Sequence, residues 1–128
     1  MILVDTSVWV VALRDPASRE RRELDGLLQQ DVVTTTDVVV GEVLQGARSV
    51  EDFLKVADRM DALHYLHADK SIWSRAARLS FDLRRQGLTT ALSDVLIATV
   101  AIYNDCDVYA IDSDFERIPG VRLHQVSA

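Results

Sequence analysis

Met1-Ile-Leu-Val-Asp5-Thr-Ser7 opens the chain with four apolar residues that stop at a carboxylate. A strand with one face in water alternates apolar and polar residues. A strand apolar throughout is covered on both faces, as at the centre of a parallel sheet. Val108-Tyr-Ala-Ile111 reads the same way and also runs into acids, Asp112 and Asp114. With weaker strand patterns at 32–35, 64–66 and 121–124, the count comes to about five. Between them lie helical periods. Leu24, Leu27 and Leu28 mark 18–29; Val39, Val40, Val43, Leu44 and Ala47 mark 37–47; Phe53, Leu54, Ala57 and Met60 mark 50–62. Ile72, Ala76, Leu79 and Leu83 form a stripe on 69–85 that Gly87 ends, and Ser93 opens an apolar helix to Ile102. Parallel strands need crossover connections, so the alternation predicts an α/β fold with helices on both faces of the sheet and two helices in the second crossover.

The chain has 128 residues, 48% of them hydrophobic and 27% charged, enough to bury a core in one domain spanning 1–128. The composition excludes a disordered chain, and no uncharged apolar run nears the ~20 residues of a membrane helix. No basic leader precedes the first strand, so a cytoplasmic location is expected. The single Cys106 sits among apolar neighbours and reads as a buried, inert thiol. A net charge of −6 is unusual for a nucleic-acid binder, but charge is unevenly spread. Arg75, Arg78, Arg84 and Arg85 share a segment with one acid, Asp82. They read either as a solvated helix face or as a track for an RNA backbone.

The acids carry the chemistry. Asp5, Glu42, Asp94, Asp112 and Asp114 stand where apolar runs begin or end, with no basic residue beside them. In open parallel sheets ligands bind beyond the carboxyl ends of the strands, and each of these positions can reach that rim. Two carboxylates ~4 Å apart repel by roughly 4 kcal/mol at an effective dielectric of 20, so a cluster must take up protons or hold a cation. All-oxygen donors favour Mg²⁺ or Mn²⁺ over zinc. Each acid also has a plainer reading: a helix N-terminus for Asp94, turn chemistry for Asp112-Ser-Asp114, a solvated helix residue for Glu42. His64, His67 and His124 lack the spacing of a metal site and read as structural; Trp9 and Trp73 read as core or dimer packing.

Four stretches, Ile2-Leu-Val-Asp5-Thr-Ser7, Gly41-Glu-Val-Leu-Gln-Gly-Ala47, Leu92-Ser-Asp-Val-Leu-Ile-Ala98 and Ile111-Asp-Ser-Asp-Phe115, resemble in order and spacing the PIN-domain ribonucleases. The resemblance spans essentially the whole chain and is specifically to the VapC-type toxins of toxin–antitoxin pairs. It implies a three-layer sandwich around a central parallel sheet and an acidic site of Asp5, Glu42, Asp94 and Asp112 that hydrolyses RNA with Mg²⁺ or Mn²⁺. Asp5, Asp94 and Asp112 would ligate the metal, and Glu42 would orient or deprotonate a water. Asp114, Thr6 and Ser93 would lend outer support, with Ser7 as further polar support, and Arg75, Arg78 and Arg85 are the candidate RNA contacts. A homodimer and a cognate antitoxin partner are also implied. The family's small hydroxyl residue two places before the fourth acid is replaced here by Ala110. A receiver-type signalling domain shares the size and the acid cluster, but no basic residue of the required kind follows the late strand. A phosphatase would carry its Asp-x-Asp at the start of the fold. An inactive PIN-like binding module would not need all four acids.

Overall fold

The computed structural model describes residues 1–127 and bears out the α/β reading. Strands β1 (Ile2–Val4), β2 (Val33–Thr36), β3 (His64–Leu66) and β4 (Asp107–Tyr109) form one sheet in the order β3-β2-β1-β4, every neighbouring pair parallel. Strand β1 is internal, with Leu3 and Val4 fully buried, but β4, whose apolar run reads the same way and predicts a central place too, is an edge strand that the segment after it covers at Leu123. β2 is Val33-Thr-Thr-Thr36, four β-branched residues that fit a pleated strand, and all four are buried.

Every crossover, not only the second, carries two helices: α1 (Thr6–Arg14) and α2 (Arg19–Gln29), α3 (Asp37–Gln45) and α4 (Val50–Asp61), α5 (Lys70–Arg85) and α6 (Leu92–Tyr103). The sequence periods placed five of these within one or two residues. α1 begins directly after β1 because Asp5 caps it, accepting from the Ser7 N–H, and it buries Val8, Trp9 and Ala12. α6 is covered all round, with Val95 through Ala101 buried, so its apolar run has no polar side to break it. α5 lies along it and ends before Gly87, whose φ of +83° an L-residue adopts only with strain.

The expected fifth strand at 121–124 is not one. Only Leu123 bridges β4, opposite Val108, while Arg122 turns outward to Asp105 and Asp107 at 2.8 and 2.9 Å. The segment therefore straps the sheet edge at one residue. Among the described residues no helix is long and apolar enough to cross a membrane.

Candidate metal centre

The sheet brings Asp5 and the Asp112 region together because β1 and β4 are parallel neighbours whose chains leave at the same rim. The Asp5 N–H donates to the Tyr109 carbonyl at 2.8 Å, continuing the ladder one residue past β1. Ser7 then ties the two exits. Its Oγ donates to Asp5 Oδ2 at 2.6 Å and accepts from the Ile111 N–H at 3.2 Å, and its own N–H donates to the same Oδ2 at 3.1 Å. Asp5 is only 4% exposed. Burial pushes the Asp5 carboxyl above its usual range, against the lowering pull of the Ser7 bonds.

Asp94 stands in the first turn of α6, whose N-cap, Ala91, offers no side-chain bond, so Asp94 is not spent on capping from the cap position. One carboxylate oxygen each from Asp94, Asp112 and Asp114 lies within 4.8 Å of the others. Burial, and then the negative charges of Asp5, Asp112, Asp114 and Glu42, push the Asp94 carboxyl up to about 6. Asp94, Asp112 and Asp114 thus form one group, and Asp5 and Glu42 lie outside that trio but act on Asp94 by charge. Asp114, expected as a distant support, belongs to the tightest trio; Asp5 stands beside it with one oxygen committed to Ser7. Glu42, in the second turn of α3, is oriented by Thr6, whose Oγ1 donates to its Oε1 at 2.8 Å.

Two plainer readings are realised alongside. Asp112 caps a 3₁₀ turn, Ser113–Arg117, by accepting from the Asp114 N–H at 2.9 Å, and Asp114 lies 3.7 Å from Arg117. Neither uses all the oxygens of these carboxylates. Of the hydroxyl residues expected as polar support, Ser93 makes no side-chain hydrogen bond among the described residues, while Ser7 joins β1 to the β4 exit. Its signal was its place two residues after Asp5, the spacing of a side-chain cap.

The arginines divide. Arg75 donates to the Tyr103 hydroxyl at 2.8 Å and stacks on its ring, nine residues beyond Asp94 on α6, or ~13 Å along a helix. It is therefore at the far end of that helix. Arg78 pairs with Asp82 at 3.2 Å, and Arg85, near the α5 end that leads back toward α6, lies over Phe81. The histidines contact carboxylates outside the acid trio: His64 reaches Asp31 at 2.9 Å, His67 reaches Asp37 at 3.4 Å, and His124 lies 3.5 Å from Glu23. Trp9 is buried, whereas Trp73 is 46% exposed and so is not core. Cys106 is buried and burial raises its thiol above the usual range, which suits an inert role. A largely apolar cavity of about 360 Å³ between α1, α2 and α4, lined by Trp9, Leu24, Met60 and Leu63, contains none of the five acids.

The sequence pattern of the PIN domain family matches residues 2–121. This chain belongs to the PIN-domain family. Among curated PIN-domain relatives, Ribonuclease VapC11 of Mycobacterium tuberculosis is 31% identical over 132 residues, covering 100% of this chain and 98% of the relative. Ribonuclease VapC21 of the same species is 31% identical over 114 residues, covering 87% and 81%. The fold is shared with a chain of VapBC2 from Rickettsia felis bound to a promoter DNA fragment, with a TM-score of 0.81, 22% identity and 97% and 98% coverage. Mycobacterium tuberculosis VapC20, described as a sarcin-ricin loop cleaving toxin, matches with a TM-score of 0.74, 20% identity and 98% and 100% coverage.

Proposed function

We propose that this PIN domain is a metal-dependent endoribonuclease, the toxin of a toxin–antitoxin pair. The observation that carries the reading is the packing of Asp94, Asp112 and Asp114 oxygens within 4.8 Å, with Asp94 raised to about 6 by burial first and then by the charges of Asp5, Asp112, Asp114 and Glu42. Such a set is costly without a cation and favourable with one, and its oxygen donors fit Mg²⁺ or Mn²⁺.

Asp5, Asp94 and Asp112, with Asp114, would hold the ion. When bound, it supplies positive charge at a phosphoryl oxygen and a water of lowered pKa. The protein's own groups do the rest. Ser7 keeps Asp5 in one orientation, Thr6 aims Glu42, and Glu42 accepts the proton of the attacking water. The centre lies at the open rim of the sheet, so a splayed single-stranded loop reaches it more readily than a base-paired helix. Of the three arginines, Arg85, at the end of α5 that leads toward α6, would meet the backbone of such a loop. The named relatives support a ribonuclease, and the VapBC neighbours support an antitoxin partner; a homodimer belongs to the same reading.

The test is cleavage of a pool of structured RNAs by purified protein with EDTA, Mg²⁺ or Mn²⁺. Cleavage that requires the metal and falls at least about 100-fold in both Asp5→Asn and Asp94→Asn is expected. Cleavage unchanged in the variants sinks the proposal.

A further inference from the structure

Thr36 ends β2 and occupies the N-cap of α3, yet its side chain makes no capping hydrogen bond. It is 0% exposed, and its Oγ1 has no partner among the described residues. A threonine at this position ordinarily accepts from an N–H of the first helical turn, and buried hydroxyls are almost always paired. Here both expectations fail together.

The strand register says what the hydroxyl stands beside. β1 pairs Ile2 with Val33 and Leu3 with Thr34, where the pairing ends; extended two residues, that register sets Asp5 level with Thr36, which itself pairs with Leu66 of β3. Paired residues of neighbouring strands present their side chains to the same face of the sheet. On the other flank, Val4 pairs with Tyr109, which sets Ala110 opposite Asp5. Asp5 therefore has a hydroxyl residue on one side and a methyl on the other. Thr35, whose Oγ1 is also unpaired, alternates to the opposite face, and Thr90 lies in the loop before α6. Thr36 alone combines an unpaired buried hydroxyl with a place in the row of Asp5 and at the start of the helix that carries Glu42.

We propose that Thr36 is a positioning residue of the centre: its hydroxyl holds a water of a bound divalent cation between Asp5 and the α3 carboxylate. This rests on the reading of the acids as a metal centre. The hydroxyl is unpaired in the protein alone because its partner arrives with the cation.

Mn²⁺ titrated calorimetrically into the chelator-stripped full chain tests this, with thermal unfolding of the metal-free proteins beside it. Thr36→Val, which keeps the shape and removes the oxygen, is expected to weaken Mn²⁺ binding about 10- to 100-fold. Thr36→Ser, which keeps a hydroxyl, should stay within about threefold of the wild type. Without metal, Thr36→Val should unfold at the same or a higher temperature, since it removes an unpaired buried polar group. A Thr36→Val protein that binds Mn²⁺ like the wild type overturns this inference alone. So does one that unfolds earlier without metal, because the hydroxyl then serves the fold. If the wild type takes up no Mn²⁺ that Asp94→Asn abolishes, the metal centre itself fails and this role falls with it.

Discussion

Asp94 and Ser7 show how single residues set the chemistry of the rim. The Asp94 carboxyl, raised to about 6 by burial and by four neighbouring acids, binds a proton more tightly folded than unfolded. Between pH 4 and 6 the native state therefore holds more protons, so the stability of the metal-free protein falls as pH rises through that window. The loss should be on the order of 1 kcal/mol once solvent screening is discounted. Urea unfolding at pH 4.5 and 7 with EDTA measures it, and Asp94→Asn should flatten the difference. Saturating Mg²⁺ or Mn²⁺ should reverse the loss at pH 7, since binding to the native state alone stabilises it. Ser7→Ala should cost about 1–3 kcal/mol, because it strips a hydrogen bond from a buried carboxylate and unties Ile111. An unchanged denaturation midpoint would show that Asp5 does not depend on it.

At the scale of elements, the strap after β4 illustrates what periodicity misses. Residues 121–124 look like a strand, but their backbone pairs with β4 only around Val108, through the Leu123 bridge and two hydrogen bonds of 2.8 Å. Side chains add to that pairing: Arg122 binds Asp105 and Asp107, the Ser127 N–H donates to Glu23 Oε2 at 2.8 Å, and His124 stands edge-on to Tyr109. The Ser127 N–H bond is the largest of the influences on the Glu23 carboxyl and lowers it below its usual range. That contribution is present at neutral pH and lost as acid protonates Glu23. Glu23→Gln should accordingly speed amide exchange over 122–127 while leaving the buried α6 amides protected. Hydrogen exchange read by mass spectrometry decides this; equal exchange in the strap would show that the Leu123 bridge suffices. Five of the six helices, by contrast, are legible because their apolar stripes repeat at a helical period whatever they pack against; α1, which follows β1 without a break, is not among them.

For the whole molecule, the proposed activity requires a chain of net charge −6 to bind an anionic RNA. The acids gather at one rim, while Arg78 and Arg85 are exposed on α5 and Arg75 is stacked on Tyr103 at the far end of α6. Arg85→Ala should lower RNA affinity and reduce the log–log salt slope by about one unit, as loss of one phosphate contact does. Arg75→Ala should leave RNA binding alone and cost only its stacking on Tyr103. Fluorescence anisotropy with a catalytically silenced Asp94→Asn protein, from low to moderate salt, separates the two.

The one-dimensional chain already carried the α/β order, the central place of β1, most helix limits and the five acids, because those follow from hydrophobic period and from carboxylates set at the ends of buried runs. It did not carry the rank of Asp114 against Asp5, the bond that makes Ser7 the tie between two strands, or the failure of 121–124 to pair with β4 beyond Val108. Nor did it show that Thr36 is buried without a partner. Each of these depends on register and distance between segments up to 104 residues apart, and no local pattern encodes a separation that only chain closure creates.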